Sequence, residues 1–352
     1  MGKKNYRLFS NEIVFRGHPD KCCDQIASAI LDEYLKRDPY VRAGIECALK
    51  NDLIYVFGEI TSSAKIDKNL REAIARRVLK DIGYTNTFRY MENISEQSRD
   101  IAQGVDVQGA GDQGIIYGYA CNDTKELLPT AQVILIKFAR EYDKLVHSDG
   151  AIFYPDGKSQ ITGEYDENFR LIRIKTFLVS YQNCETRRKE SDKIIKSLIE
   201  RICKEYNIEV ENILINPTGK FLEGGPWADS GLTGRKIVVD AYQGFAPVGG
   251  GSVNAKDPTK VDYSAALEAR ELAKRVLTKN GLKWCQVQLS YAIGVARPMA
   301  IYIDSDKGFI EPTEDMYVEC EPSNIIKNLS LRVPDHEKKS RFGLFAPEVE
   351  ED

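Results

Sequence analysis

Between Asp229 and Asp262 the chain gathers Asp229, Arg235, Lys236, Gly249-Gly250-Gly251, Lys256, Lys260 and Asp262, with Pro247 and Pro258 stiffening the glycine-rich stretch. Glycines let a backbone approach a ligand closely, and the four basic residues set against Asp229, Asp240, Asp257 and Asp262 make a field of both signs. A polyphosphate carried with a divalent metal suits that mixture. The cations would neutralise phosphate oxygens, and the carboxylates would hold magnesium, which takes oxygen ligands and keeps several waters. On composition alone a surface loop of solvated charges fits as well. A second cluster, Gly17-His18-Pro19-Asp20-Lys21, stands just before an amphipathic stretch. Histidine and aspartate at a helix start can serve an anion or a metal, because unpaired amides point outward there; plain capping by Asp20 is the simpler reading.

Two further motifs fail on context. Gly109-Ala110-Gly111-Asp112-Gln113-Gly114 fits GxGxxG, but a dinucleotide fingerprint needs a strand before it and a helix after it. Here Gln103 to Asp106 reads as loop and Ile115 to Tyr119 as strand. Gly157-Lys158-Ser159 looks like the end of a P-loop, yet the first glycine of that motif falls on Ile152. Lys158 is left as an unassigned cation.

The elements that must position these residues are read from periodicity. Cys23, Ala27 and Leu31, with Ile26, Ile30 and Tyr34, give helical spacing from Asp20 to Arg37, stopped by Pro39. Val41 to Leu49 and Leu53 to Ile60 flank Lys50-Asn51-Asp52 and read as a hairpin, followed by a helix from Ile66 to Ile82. The middle third supplies helix from Ala131 to Val146, strand from Leu171 to Tyr181, helix from Lys189 to Tyr206 and a short strand from Ile213 to Asn216. The last third supplies a strand from Lys236 to Tyr242, a helix from Tyr263 to Thr278, then strands from Trp284 to Val295 and Ala300 to Asp304. Hairpins rather than strict βαβ alternation argue an α+β fold of three similar sheet-plus-helix units. The expected limits are 1–105, 106–226 and 227–346, with a disordered acidic tail over 347–352.

At 352 residues, with 42% hydrophobic and 29% charged residues, the chain can bury a large core. A net charge of −4, from 49 Lys+Arg against 53 Asp+Glu, argues against nucleic acid as a partner. No apolar stretch approaches the roughly 20 residues that span a bilayer, and the N-terminus shows no signal-peptide pattern, so a cytoplasmic protein is expected. Eight cysteines, two of them adjacent, suit reduced core residues better than a disulfide scaffold.

Several of these motifs, in order, resemble the signatures of the S-adenosylmethionine synthetase (methionine adenosyltransferase) family. They are Gly17 to Lys21, Gly58-Glu59-Ile60-Thr61, Gly109 to Gly114, Asp156-Gly157-Lys158-Ser159-Gln160, Ile215-Asn216-Pro217-Thr218-Gly219, Gly231 to Lys236, and Gly249-Gly250-Gly251 leading to Lys256-Asp257-Pro258. The resemblance spans about residues 8 to 345. It implies three α+β units, active sites shared across a homodimer that often pairs into a homotetramer, and two magnesium ions with one potassium ion per site. It implies that methionine sulfur displaces triphosphate from C5′ of ATP, and that the tripolyphosphate is then hydrolysed to pyrophosphate and phosphate. By the same resemblance His18 and Lys158 assist the leaving triphosphate, while Arg235, Lys236 and Lys256 hold its phosphates. Asp20 and Asp262 bind magnesium and Glu46 binds potassium. Glu59, Gln97, Asp229 and Lys260 contact methionine, Phe221 stacks on adenine, and Asp112, Asp156, Lys220 and Ser252 line the nucleotide side.

Departures from the family pattern carry expectations of their own. Ser252-Val253-Asn254-Ala255 stands where Ala-Phe-Ser-Gly is usual, which could reposition Lys256. Arg16 adds a cation where the family commonly has an acidic residue, next to the expected metal site. The stretches from Gly83 to Gln97, from Gln103 to Gly109 and after Asp304 are short. Only Val105 to Gln108 separate Gly104 from Gly109, about 14 Å when extended, which predicts weak gating by any lid there. A non-catalytic regulatory subunit is the competing reading. His18, Asp20, Lys158 and Lys256 argue against it, since such a subunit has no chemical need for them.

Overall fold

Three sheets, each backed by helices, build the molecule, which a computed structural model describes over residues 6–96, 109–148, 150 and 152–349. The first segment runs β1 (Arg7–Val14), α1 (Pro19–Leu35), β2 (Arg42–Lys50), β3 (Leu53–Thr61), α2 (Lys68–Ile82) and β4 (Arg89–Ser95). Strands β2 and β3 alternate buried with half-exposed residues and pair as an antiparallel hairpin, the tip taken by Asn51 at a φ of 51°. Helix α2 then carries the chain over to β4, which lies parallel to β3. After β5 (Gly114–Cys121) the same plan recurs. Helix α3 (Thr130–Val146) precedes the hairpin β6 (Phe153–Tyr165) and β7 (Leu171–Asn183), and α4 (Arg188–Glu205) leads to β8 (Ile213–Ile215), parallel to β7. The last part holds β9 (Gly231–Leu232), α5 (Ile237–Asp240), α6 (Val261–Asn280) and the hairpin β10 (Trp284–Tyr291) and β11 (Ala300–Ser305), followed by short helices.

The α+β architecture agrees with the sequence reading, and the sheets interlock. Their orders are β4-β3-β2-β9, β8-β7-β6-β1 and β11-β10-β5, so each hairpin is flanked by a strand from a distant part of the chain. Two of these exchanged strands shape the site: β1 delivers Gly17 and His18 beside β6, and β9 delivers Arg235 and Lys236 beside α1.

Several local readings differ. Lys236 to Tyr242 is not a strand but the single turn α5 and a following bend, with Asp240 N–H bonded to the Lys236 carbonyl at 2.8 Å. The β-branched run Ile237-Val238-Val239 suggested a strand, but Asp240 is needed inward, where its carboxylate meets Lys21. Strand β10 ends at Tyr291, before a bend at Gly294 with φ of 75°. Strand β6 went unassigned because Pro155, Gly157 and Gly163 are poor strand formers. The expected disordered tail is ordered in its first part: Glu348 pairs at 2.8 Å with the buried guanidinium of Arg270, and Val349 is buried, because an internal arginine needs a carboxylate.

One core lies under the first sheet, around Cys22, Ile26, Ile30, Ile45, Val56 and Val78, and a larger one runs under the other two sheets. The cysteines are all unpaired and seven of the eight are buried, as expected. Helix α1 is covered on nearly every side, by the first sheet and by β9, α2 and the short helix His336–Ser340. Its polar residues Asp20, Lys21, Asp24, Gln25 and Asp32 are therefore inside the protein, where they require partners.

Candidate active site

The backbone between β1 and α1 extends the antiparallel pairing with β6: Phe15 N–H reaches the Gly157 carbonyl at 2.9 Å and Gly17 N–H the Pro155 carbonyl at 3.1 Å. A Cβ on Gly17 would lie 2.3 Å from Pro155, so only glycine permits this approach. His18 then caps α1, its Nδ1 accepting the Asp20 N–H at 3.2 Å. Burial, followed by the cations Lys236 and Lys158, pulls this imidazole down to about 4 against Asp20 and Asp229. The ring is neutral, and with Nδ1 accepting it carries its proton on Nε2.

Asp20 is the hub. Its Oδ1 accepts the Leu232 N–H at 2.9 Å, its Oδ2 meets Lys236 Nζ at 2.5 Å, and Arg235 Nε stands 3.6 Å from Oδ1. One turn on, Asp24 accepts the Gly234 N–H at 2.9 Å, so two carboxylates on one helix face register the segment that carries Arg235 and Lys236. Asp156, on β6, accepts the Gly225 N–H at 2.7 Å, and burial pushes its carboxyl up to about 6. Lys158 projects from β6 between Val14 and Ser180, exposed and with no ion pair among the described residues.

The glycine-rich arm joins the first sheet through a bridge between Gly44 and Lys256. Lys256 Nζ lies 2.6 Å from Asp262 Oδ2 in the first turn of α6, and a Cβ on Gly251 would fall 2.1 Å from that same oxygen. Lys260 Nζ lies 2.6 Å from Asp257 Oδ2, and Asp257 also accepts the N–H groups of Ala43 and Thr259. Glu59 stands over Gly44, where a Cβ would come within 2.7 Å of its Oε1. Glu46, two residues along, makes no ion pair among the described residues, and burial pushes its carboxyl up to about 7. The arrangement offers cations for a polyphosphate on two sides and carboxylates between them.

Comparison with known proteins gives the same assignment along the chain. The N-terminal, central and C-terminal domains of S-adenosylmethionine synthetase match residues 6–108, 107–221 and 223–351. The chain belongs to the S-adenosylmethionine synthetase family. The S-adenosylmethionine synthase of Paramagnetospirillum magneticum is 39% identical over 366 aligned positions, which cover 98% of this chain and 94% of that protein.

Members of the S-adenosylmethionine synthetase family typically use Mg2+ and K+, so the donor sets deserve a test. Among the described residues no group of three or more His, Cys, Asp or Glu side chains forms a cage. Magnesium does not require one, since it binds through one or two carboxylates together with substrate phosphates and water. Asp20 and Asp262, each a single carboxylate beside lysine or arginine cations, fit that role. Glu46, half-buried and in no ion pair among the described residues, fits a monovalent ion.

The remaining expected residues are scattered in this single chain. Asp112 is exposed in the turn before β5, where its Oδ1 accepts the Gln113 N–H, and Asp229 is exposed beside Ser230. Lys220 is exposed and paired with Glu185 at 2.9 Å. Phe221 is half-exposed and belongs to neither apolar core, which disfavours a merely structural role. Ser252 Oγ accepts the Asn254 N–H at 3.1 Å. Gln97 and the expected short lid, Val105 to Gln108, lie outside the described residues. Arg16 is not beside Asp20: it is buried, its Nε on Gln25 at 2.8 Å and Nη1 on the Asp81 carbonyl at 3.1 Å, tying α1 to α2. Asp24 was missed, although the i, i+4 spacing of Asp20 and Asp24 on one helix was the available signal, and Asp257, counted among the charges of the glycine-rich window, was given no role of its own.

Proposed function

We propose that the residues gathered around Asp20 and along the glycine-rich arm divide the family reaction among them as follows. The activity is that of a methionine adenosyltransferase, which forms S-adenosylmethionine from ATP and L-methionine. Sulfur attacks C5′, the C5′–O bond breaks, its electron pair leaves with the triphosphate, and sulfur becomes a sulfonium cation. Because negative charge grows on the departing oxygen, donors aimed there act mainly in the transition state. Lys158 supplies a cation that no carboxylate among the described residues holds, and His18 Nε2 supplies a neutral N–H donor. Arg235, Lys236 and Lys256 hold the phosphates. Asp112, Asp156, Lys220 and Ser252 flank the nucleotide, with Phe221 stacked on adenine. Asp229 and Glu59 suit the methionine ammonium, Lys260 its carboxylate, and Gln97 completes that pocket.

Asp20 and Asp262 would hold two magnesium ions and Glu46 one potassium ion, which when bound neutralise phosphate charge and order the polar groups. Water then cleaves the tripolyphosphate to pyrophosphate and phosphate. The chain acts as a homodimer, with tetramers built from it; exposed Met91 and Leu232 on the outer face of the first sheet support such pairing. Three units divided near 105 and 226, and a cytoplasmic setting for eight unpaired thiols, complete the reading.

The observation that carries this proposal is the convergence of His18, Lys236, Arg235 and Lys158 on the entrance of α1. Its test is to incubate the purified chain with ATP, methionine, Mg2+ and K+ and to follow products by mass. Sulfonium, pyrophosphate and phosphate are expected. Release of ADP, or no product from this chain alone, overturns it.

A further inference from the structure

Lys21, Asp24, Asp240 and Asn254 are all buried, and the reaction as described uses none of them. Lys21 Nζ lies 2.8 and 2.9 Å from the two oxygens of Asp240 and 3.1 Å from Asp24 Oδ2. One ammonium thus serves two carboxylates from segments far apart in sequence. Each carboxylate reaches onward to a different cationic arm. Asp24 accepts the N–H of Gly234, the residue immediately before Arg235 and Lys236. Asp240 Oδ2 accepts Asn254 Nδ2 at 3.2 Å, two residues before Lys256. The arms also touch directly: Gly234 has φ of 74°, and a Cβ on it would lie 2.8 Å from Ser252 Cβ.

We infer that Lys21, Asp24, Asp240 and Asn254 form a positioning knot that fixes the spacing of Arg235 and Lys236 relative to Lys256, and so sets the protein for the length of a tripolyphosphate. This rests on the reading of those three cations as phosphate contacts. Charge-assisted bonds between buried groups are stiff and keep their geometry, which is what an anion several phosphates long requires of a site on two separate loops. Removing Lys21 would leave two buried carboxylates without a cation and endanger the fold, so the informative residue is Asn254, whose loss cuts one link and leaves the Lys21–Asp24–Asp240 cluster intact.

The experiment measures inorganic tripolyphosphate binding by calorimetry, and steady-state KM and kcat, in Asn254→Ala, Lys256→Met and the double variant, with Asn254→Ser in parallel. Thermal melting confirms that each is folded. In Asn254→Ala, tripolyphosphate affinity should fall about tenfold while KM for methionine stays within twofold. Asn254→Ser, which keeps a shorter donor, should fall in between. The double variant should bind no more weakly than Lys256→Met, because Asn254 acts through Lys256. Wild-type affinity within twofold in Asn254→Ala, or effects that multiply in the double variant, overturn the knot. If Lys256→Met itself binds tripolyphosphate like wild type, the phosphate assignment fails instead. Should Asn254→Ala not fold, Asn254→Ser carries the same comparison.

Discussion

At the entrance of α1 the charged groups are fixed from below, by backbone amides and buried carboxylates, whereas along the glycine-rich arm each lysine is tied to an aspartate side chain. Asp20 holds Lys236 while itself held by the Leu232 amide, and that amide cannot leave without unpairing β9. Among the described residues Lys256 and Lys260 pair with Asp262 and Asp257. The first region is preorganised before substrate arrives. On the proposed roles the second must exchange partners: Lys256 turning to a phosphate would release Asp262 to a metal ion. Catalytic power should therefore concentrate on the fixed side and potassium dependence on the exchanging side, with magnesium shared between Asp20 on the first and Asp262 on the second.

The strongest test falls on Lys158. Lys158→Met should lower sulfonium formation at least a thousandfold, about 4 kcal/mol of transition-state stabilisation, with an unchanged melting curve because the side chain is exposed. Single-turnover rates within tenfold of wild type would show that Lys158, the exposed cation beside the fixed groups, does not hold the leaving group.

Burial on the fixed side has a second consequence. Asp156 has its folded pKa raised from 3.8 to about 6, so the native state binds a proton more tightly than the unfolded chain. Its stabilising contribution is complete below about pH 4 and is lost as the pH rises to about 6. That loss is at most about 3 kcal/mol. Asp156→Asn cannot ionise. Urea unfolding from pH 4 to 8 should show the variant gaining on wild type between pH 4 and 6, with a constant difference above. A difference that does not change with pH would remove the buried charge from the fixed side.

The exchanging side is tested by its ions. Burial, helped by the charges of Asp24 and Glu59 and opposed by Lys256, raises the pKa of Glu46, and Glu46→Gln should lose most of the acceleration by potassium, a change of about tenfold or 1.4 kcal/mol. Asp20→Asn should weaken the dependence on magnesium instead. Equal potassium activation in wild type and Glu46→Gln would place the monovalent ion elsewhere.

The residues proposed to contact ligand were legible in the sequence because His18, Asp20, Lys158 and the Arg235-Lys236 pair stand in ordered motifs that resemble those of the family. Their supports were not. Asp240 lay within a β-branched run that suggested a strand, and its inward turn depends on Lys21, more than 200 residues away. Strand β6, which carries Lys158, is weak in local propensity and is held by pairing with β1 and β7 on its two sides. Arg16 was misplaced because adjacency in sequence does not say which side of the helix entrance a side chain leaves from. Periodicity gave helices and hairpins, while strand exchange between sheets is tertiary and has no local signal.

The smallest expected effect separates the two regions through one methyl group on each. Gly234, on the fixed side, and Ala255, on the exchanging side, both have positive φ, 74° and 56°. At Gly234 a methyl would meet Ser252 Cβ at 2.8 Å in addition to the left-handed strain, so Gly234→Ala should cost more than the roughly 1–2 kcal/mol of that strain alone. At Ala255 the methyl already exists and is buried in the core of the first sheet. Ala255→Gly relieves about 1–2 kcal/mol of strain. It gives up about 0.8 kcal/mol of methyl burial and about 0.4–1 kcal/mol through the greater freedom of the unfolded chain. These terms cancel, so Ala255→Gly should change stability by no more than about 0.5 kcal/mol and leave tripolyphosphate binding unaltered. Chemical denaturation of the two variants side by side checks the pair. A gain of about 1 kcal/mol or more in Ala255→Gly would mean that the bond from the Ile45 amide to the Ala255 carbonyl holds Lys256 in a strained loop, and that the exchanging side is less free than its ion pairs suggest.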